Sequence, residues 1–345
     1  GPDTARGYDE YVQVSWNEAL DLLARELKRV KDRHGPSAVF GGSYGWSSAG
    51  RFHHAQSQVH RFLNVALGGY VRSVNSYSAG CAEVLLPHIL GSFEHVVKRN
   101  VTWEQIAKHS DVVLAFGGMA LKNSRIASGG VSRHVERDAM LRAAQRGCQF
   151  ICVSPQRSDL PPEDAADWIP VTPGTDTDLM LGMACTLIEL DAHDRTFLSR
   201  YCSGWDELEA YILGRQDGVR KDAQWAATIC GVPAERIVSL TKSLLKRRVL
   251  VVAAHSMQRA EHGEQPIWMA AVLACMLGQI GLPGGGYNYA LGTFGHYGRR
   301  NNAISSPSLS QGTNSVKAFI PVARIADMLL HPGEPFEYNG QHLVY

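Results

Sequence analysis

The sequence predicts an α/β protein in which largely parallel sheets are flanked by helices and arranged in two lobes. Short apolar runs, among them DVVLAFGG (111–118), QFICVSP (149–155) and RVLVVAA (248–254), alternate with longer segments of helical periodicity. This alternation is typical of β-α-β units, in which a helix joins one parallel strand to the next. A length of 345 residues also exceeds what one hydrophobic core commonly holds, which favours two lobes.

The chain opens with a predicted helix over 15–35. Ser15 and Glu18 have the spacing of a capping box, the last turn is basic, and Gly35 follows it. The other elements expected in the first part are a strand over 38–42, a helix from about Gly50 to Leu67, and a helix from Gly80 to about Glu94.

The second part repeats the alternation of strands and helices. Its predicted helices are 133–147, ending at Gly147, then 175–191 with Thr175 as a candidate cap, a mainly helical stretch from 194 to about 241, and a buried helix over 266–277. The glycine-rich segment 278–298 is predicted to be a long irregular loop, and a last helix is expected within 323–345.

Composition excludes several classes of protein. A formal net charge of +1 gives no case for a partner that is nucleic acid. The longest apolar stretch, Pro266–Leu277, is too short to span a bilayer, so no membrane span is predicted. Seven dispersed cysteines without a C-x-x-C pair argue against a disulfide framework, a zinc ribbon or an iron–sulfur motif. Reduced thiols in a cytoplasmic protein are the simplest interpretation.

Glycines and polar residues directly follow four predicted strands. The four junctions are AVFGG before SYGWSSAGR, LAFGG before MALKNSR, ICVS before PQRSD, and VVAA before HSMQRAEHGEQ. In open parallel sheets, ligands bind outside the carboxyl ends of the strands, where glycine lets backbone N–H groups approach a phosphate. The four loops together therefore predict an extended ligand that carries phosphates.

Common nucleotide and hydrolase motifs are absent. There is no complete G-x-G-x-x-G, no P-loop and no H-E-x-x-H, and Ser78 lies in S-Y-S-A-G rather than in G-x-S-x-G. The segment VNSYSAGCAE (74–83) leaves three roles open for its serines and Cys81: a helix cap, a nucleophile or a metal ligand. A nucleotide-binding dehydrogenase or hydrolase that shares only the sheet architecture remains the alternative from another class.

Seven segments carry a resemblance to a known family. They are SYGWSSAGRFHHAQSQVHRFLN (43–64), GGYVRSVNSYSAG (68–80), ALKNS (120–124), SPQRSDLP (154–161), PGTDTDLMLGMA (173–184), SMQRAEHGEQPIWM (256–269) and MLGQIGLPGGG (276–286). In order and approximate spacing they resemble the molybdopterin oxidoreductases of the dimethyl sulfoxide reductase type, above all the biotin sulfoxide reductase branch.

The resemblance implies a bis(molybdopterin guanine dinucleotide) cofactor that holds one molybdenum. The metal is bound by cofactor sulfurs and one protein ligand, which the motif assigns to Ser78, with Cys81 as the competitor. Tyr44 and Trp46 match residues that line the metal site, and with Ser78 they form the expected catalytic set; Trp46 also counts among the cofactor contacts.

The other cofactor contacts that the resemblance implies lie in the loops after the strands: Lys122, Asn123, Ser154, Pro155, Arg157, Asp159, Thr175, Asp176, Ser256, Met257, Gln258 and Arg259. Each has a simpler explanation as well. Lys122 suits a solvated loop, and Asp176 suits the start of a helix, where a carboxylate favours the helix dipole. His255 departs from the family, whose members typically carry tryptophan at that position.

The resemblance also implies an activity and an organisation. The activity is reduction of an S-oxide, with biotin sulfoxide favoured, by oxygen-atom transfer to Mo(IV). The alternatives are a methionine or dimethyl sulfoxide reductase, a trimethylamine N-oxide reductase, or an inactive, cofactor-free fragment. The expected electron donor is NADPH-linked or a redox protein, and the expected location is the cytoplasm, with the periplasm as the alternative.

Family members are about twice as long as this chain, which is therefore expected to be a central fragment. The expected domains are a first α/β lobe over 1–110 that carries the metal-site loops, a Rossmann-like dinucleotide-cofactor lobe over 111–300, and an incomplete return segment over 301–345.

Overall fold

The computed structural model describes residue 5 and residues 7–48, 52–130, 132–159, 166–299 and 309–344. Two compact units share the chain, the first formed by Gly1–Val74 with Pro307–Tyr345 and the second by Asn75–Ser306. This division falls at residue 74, whereas the expected first lobe ran to residue 110. The difference arises because the helices between residues 80 and 109 pack against the large sheet of the second unit.

The helices and strands are numbered in chain order. The helices are α1 (Trp16–His34), α2 (Ala55–Leu67), α3 (Gly80–Leu90), α4 (Phe93–Lys98), α5 (Trp103–His109), α6 (Glu136–Gln145), α7 (Asp176–Glu189), α8 (Arg195–Tyr201), α9 (Trp205–Ile212), α10 (Ala223–Cys230), α11 (Ala234–Ser243), α12 (Glu264–Met276) and α13 (Ile325–Leu330). The strands are β1 (Phe40–Gly41), β2 (Val71–Val74), β3 (Val112–Phe116), β4 (Gln149–Val153), β5 (Ala166–Ile169), β6 (Val249–Ala253), β7 (Gly286–Tyr289), β8 (Phe319–Pro321), β9 (Phe336–Tyr338) and β10 (Gln341–Leu343).

The first unit contains a small parallel sheet in the order β1-β2-β8 and an antiparallel pair, β9 and β10. Helix α1 begins where the sequence predicted, because the side chain of Ser15 accepts a hydrogen bond of 3.2 Å from the Glu18 N–H. Its apolar side chains are nevertheless mostly exposed, including Leu20 at 56% and Leu23 at 54%.

The second unit is built on a five-stranded sheet in the order β5-β4-β3-β6-β7, in which every neighbouring pair is parallel. Alternate residues of the central strands enter two separate hydrophobic clusters. Leu114 belongs to the cluster that contains residues of α7 and α12, and Val113 to the cluster that contains residues of α5 and α6. Both faces of the sheet are therefore covered, which explains why β3 and β6 are continuous apolar runs.

Strand order reverses between β3 and β6, since the chain runs outward from β3 through β4 to β5 and then returns to β6 and β7. In a doubly wound sheet, such a reversal opens a crevice beyond the carboxyl ends of the two strands. The topology therefore places a ligand site beside Phe116 and Ala253, the last residues of β3 and β6.

Several elements differ from the sequence predictions. The glycine-rich segment contains β7, which pairs with β6 from Gly286 to Tyr289, and β5 was not predicted either. The helix expected from Gly80 to Glu94 is divided because Gly91 adopts a left-handed conformation with φ 82° after α3. The predicted helix start at Gly50 lies outside the described residues, and α2 begins at Ala55.

We predict that Leu114→Ala lowers the free energy of unfolding by about 2–5 kcal/mol, because Leu114 is fully buried at the centre of the sheet and truncation leaves a cavity. The matched control is Leu190→Ala, since Leu190 is 41% exposed at the end of α7 and should change stability by less than about 0.5 kcal/mol. Urea unfolding followed by circular dichroism measures both. Equal losses in the two variants would contradict this assignment of the core.

Candidate functional site

Three loops meet beyond the carboxyl ends of β3, β4 and β6, and we call this the carboxyl-end crevice (Gly117–Asn123, Ser154–Asp159 and Ala254–Arg259). Gly117 and Gly118 have φ values of 77° and 78°. A Cβ on Gly117 would lie 2.8 Å from the Ala254 Cβ, and one on Gly118 would lie 2.5 Å from the Asp159 Cβ. Only glycine therefore allows the three loops to approach so closely.

The sequence predicted that four strand ends would converge, and three of them end side by side in the five-stranded sheet. AVFGG (38–42) contributes β1 to the small sheet of the first unit, not to the five-stranded sheet. In both sheets a short apolar strand runs into a polar, glycine-containing loop, so the sequence pattern could not show to which sheet a strand belongs.

Ser78 lies in an exposed turn that leads into α3. The capping position of α3 is Ala79, which makes no side-chain cap hydrogen bond, so Ser78 is not the cap that its position in the sequence allowed. Ser76 fills the local role instead, because its hydroxyl accepts a hydrogen bond of 3.2 Å from the Ala79 N–H.

Gln258 joins this turn to the crevice. Its side chain is 3% exposed, and its Oε1 accepts a hydrogen bond of 3.0 Å from the Ala82 N–H. Its Nε2 donates to the Ser78 carbonyl at 3.1 Å and also to the Tyr289 hydroxyl. The amide is thus used within the protein, and it positions the Ser78 turn against the loop that follows β6.

Cys81, the competing metal ligand, is held as a thiol. It lies in the first turn of α3, and its Sγ donates to the Gln258 carbonyl at 3.7 Å. Burial raises the pKa of Cys81, and the nearby charge of Glu264 adds to the effect. These surroundings favour the neutral thiol of Cys81, and the choice between Ser78 and Cys81 as metal ligand stays a prediction.

His255 is a buried imidazole next to the Ser78 turn. It is 4% exposed, stacks on Tyr289 with ring centroids 4.9 Å apart, and meets the edge of Phe294 at 5.3 Å. Neither ring nitrogen has a hydrogen-bond partner among the described residues. Burial lowers the pKa of His255 to about 4, and the positive charge of Arg259 lowers it further. The Ser78 backbone raises this pKa, although its geometry falls short of a hydrogen bond. The ring is therefore neutral at pH 7 and offers one donor and one acceptor.

The loop after β4 is tied together by its own predicted site residues. The Ser154 hydroxyl donates to Asp159 Oδ2 at 2.8 Å, and the Asp159 carbonyl accepts from the Met119 N–H at 3.0 Å. These contacts hold the loop against the loop after β3. Pro155 and Arg157 remain exposed at the rim.

Asp176 begins α7 and is 8% exposed. Burial raises its pKa to about 6, and the neighbouring charge of Asp178 adds to the rise. The folded protein therefore disfavours the charged form of this carboxyl. Thr175 occupies the cap position, but its hydroxyl donates to the Thr172 carbonyl at 2.7 Å and makes no cap hydrogen bond to the helix.

The remaining predicted contacts of the second unit are distributed around the crevice. Lys122 and Asn123 are exposed in the loop after β3, and Ser256 and Arg259 are exposed in the loop after β6. Met257 is half-buried and packs against the larger hydrophobic cluster. Exposure suits both a ligand contact and a solvated loop, so these assignments stay predictions.

Tyr44 and Trp46 belong to the first unit, in the turn after β1. Tyr44 is 58% exposed. A Cβ on the intervening Gly45 would lie 2.7 Å from the Ala55 Cβ, so glycine keeps this turn close to α2. Their expected role beside the metal stays a prediction.

Tyr289 was missed by the sequence reasoning, although it stacks on His255 and bonds to Gln258. It falls in the segment that was assigned to an irregular loop. The continuous run GYNYAL (286–291) after the glycines is the signal that could have indicated a strand there.

Comparisons with known proteins show which proteins this chain resembles. The family model described as "Molybdopterin oxidoreductase" matches residues 2–337. A biotin sulfoxide reductase from Cereibacter sphaeroides is 44% identical over 340 residues, which cover 99% of this chain and 46% of that protein. A trimethylamine-N-oxide reductase from Haemophilus influenzae is 43% identical over 99% of this chain and 42% of its own length. A dimethyl sulfoxide/trimethylamine N-oxide reductase from C. sphaeroides is 40% identical over the same two shares.

The chain thus spans less than half the length of each of these relatives. The family match itself covers nearly all of the chain. These similarities confirm the resemblance seen in the sequence motifs: the chain belongs to the molybdopterin oxidoreductase family.

Proposed function

We propose that this chain is part of a molybdenum-dependent reductase that removes the oxygen of an S-oxide, with biotin sulfoxide as the favoured substrate. The observation that carries the proposal is the exposed Ser78 turn, which Gln258 holds at the crevice where the strand order reverses. The names of the relatives support a reductase of sulfoxides or N-oxides. Two of those names favour trimethylamine N-oxide or dimethyl sulfoxide as the alternative substrate.

Family membership implies a molybdopterin cofactor with molybdenum, and we propose the bis(molybdopterin guanine dinucleotide) form. The residues of the crevice fit such a group. Gly117 and Gly118 let the loops after β3, β4 and β6 pack together, which brings the predicted contact residues to one edge of the sheet. Asp176 is a buried carboxyl at a helix start, suited to accept hydrogen bonds from the N–H groups of a guanine.

The unpartnered imidazole of His255 also fits an additional bound group. A buried polar atom without a hydrogen bond costs about 1–3 kcal/mol, and a bound ligand or water that reaches the ring would remove that cost. In the proposed site the neutral ring offers this hydrogen bond beside the Ser78 turn.

When bound, the molybdenum centre supplies the two-electron chemistry that takes an oxygen atom from the substrate. The chain's own residues place and surround it. Ser78 would provide the protein ligand, and Gln258 sets the position of its backbone. Lys122 would add a positive charge near the pterins, while Tyr44 and Trp46 would orient the oxygen of the substrate through a phenol O–H and an indole N–H.

We further propose a cytoplasmic location and an electron donor that is NADPH-linked or a redox protein. Seven free cysteines, four of them buried, support a reducing compartment. Among the described residues, no helix has both the length and the apolar character needed to cross a membrane.

We predict that the protein as its gene encodes it, expressed in a host that makes the cofactor, contains molybdenum and loses S-oxide reduction on Ser78→Ala. The reason is that alanine removes the proposed ligand oxygen and leaves the backbone contact to Gln258 intact. Elemental analysis and turnover of biotin sulfoxide measure the two effects.

The matched control is Cys81→Ala, which should keep most of the activity because Cys81 is a half-buried thiol that donates a hydrogen bond to the Gln258 carbonyl. A protein without molybdenum would refute the proposed function. Unchanged turnover in Ser78→Ala, or its loss only in Cys81→Ala, would refute the choice of ligand.

Asp176→Asn separates a structural role from guanine binding. The pKa of Asp176 is raised from 3.8 to about 6, so the folded state favours the protonated carboxyl. The resulting stabilisation is fully present below pH 3.8 and is lost as the pH rises through 6. We therefore predict that the cofactor-free Asn variant has a higher Tm than the parent at pH 7.5, and that the difference shrinks towards pH 4.

In the cofactor-loaded protein the same variant should release less guanine nucleotide on acid hydrolysis, because an amide cannot accept both N–H groups of the guanine edge as a carboxylate does. Normal nucleotide content together with a raised Tm would assign Asp176 a structural role only.

A further inference from the structure

A second concave site lies in the second unit, beside the edge strand β7. This cleft has a volume of about 620 Å³, within the range of ligand pockets, and we call it the β7 cleft. Its walls include Ile280–Gly285, directly before β7, and the segment His95–Thr102 between α4 and α5. Because Ile280–Gly285 precede the amino end of β7 in a parallel sheet, the cleft lies away from the carboxyl-end crevice.

The charged side chains that line the β7 cleft are all basic. His95, Lys98, Arg99 and Arg299 line it, and the described lining residues include no aspartate or glutamate. Arg299 is neutralised by the buried Glu136 at 2.6 Å, and Lys98 pairs with Glu94 at 3.0 Å in an exposed ion pair. An exposed pair contributes little, so Lys98 can turn to a ligand at small cost.

Arg99 is the cation of the cleft that is most available to a ligand. It is exposed, and within the described part of the chain it belongs to no ion pair. Its position is nevertheless held, because the next residue, Asn100, donates from Nδ2 to the Tyr287 carbonyl at 2.7 Å and accepts from the Val101 N–H at 2.7 Å. A charged side chain on an anchored segment costs less to order around a ligand.

Two buried polar groups in the lining residues lack partners among the described residues. They are the Tyr287 hydroxyl, on a residue that is 4% exposed, and Nε of Arg299. By contrast, Thr102 and Gln105 already satisfy each other in the capping box of α5. Both atoms have almost no solvent-accessible surface, so the positive charge of Lys98 and Arg99 is what the cleft presents to a ligand.

The potential around the cleft is positive enough to affect a neighbouring ring. The pKa of His296 is lowered, first by burial and then by the charges of Lys98 and Arg299. The apolar residues of the lining, Leu90, Val96, Ile280, Leu282 and Pro283, provide a surface for the uncharged part of a ligand.

We propose that the β7 cleft binds an organic phosphate of nucleotide size, with the phosphate at Arg99 and Lys98 and the apolar or planar body against the Leu282 wall. Phosphate satisfies the positive charge and accepts from several donors at once. Volume and lining exceed what inorganic phosphate needs, which favours a ligand with an organic body.

The test is calorimetric titration of the cofactor-loaded protein with ADP, with adenosine and inorganic pyrophosphate as comparison probes. We expect saturable ADP binding that weakens about tenfold or more in Arg99→Gln, the loss of one charge-assisted contact. Tyr287→Phe, which removes only a hydroxyl without accessible surface, is a second control and should leave ADP binding unchanged. The matched control is Lys108→Gln, because Lys108 is an exposed cation on α5 that pairs with Glu104 and does not line the cleft.

Three results would overturn the proposal. They are an absence of saturable ADP binding, equal affinities of Arg99→Gln and Lys108→Gln for ADP, and binding of adenosine or of pyrophosphate as tight as that of ADP. S-oxide reduction should be unchanged in all three variants. An absence of ADP binding would therefore not refute the proposed function, and an absence of molybdenum would not refute ligand binding in the β7 cleft.

Discussion

The side-chain amide of Gln258 is the contact on which the candidate site depends. It is buried, and it connects the loop after β6 with the turn that carries Ser78, with the first turn of α3 and with Tyr289 on β7. A buried amide must satisfy its hydrogen bonds, so these segments are fixed relative to one another. The sequence resemblance counts Gln258 among the cofactor contacts, which stays a prediction, and its contacts in the structure give it a positioning role as well.

Backbone conformation sets the second constraint. Gly117 and Gly118 are left-handed, and each faces another loop at a distance that a Cβ could not occupy. The loops after β3, β4 and β6 can therefore close on one another only because glycine ends β3. Hydrogen bonds then hold the loops against one another. The Asp159 carbonyl, for example, accepts a hydrogen bond from the Met119 N–H.

The site also contains groups that are unfavourable in the protein alone. Asp176 is buried with a pKa raised to about 6, and His255 is buried with both ring nitrogens unpartnered among the described residues. Perturbed groups of this kind cluster at functional sites, because a ligand or a reaction compensates for their cost. In the proposed function, a dinucleotide cofactor in the crevice would compensate for that cost.

The sequence by itself determined the α/β class, the helix α1 with its Ser15 cap, and the apolar strands β3, β4 and β6, because these follow from local periodicity and capping. It also determined the family, because seven motifs in order are specific even when each alone is not. Only the tertiary structure decided that AVFGG belongs to another sheet, that β7 lies within a glycine-rich segment, and that Gln258 bonds to both Ser78 and Tyr289. Strand pairing and buried hydrogen bonds join residues far apart in the chain, such as Ser78 and Gln258, and no local pattern records such a partner.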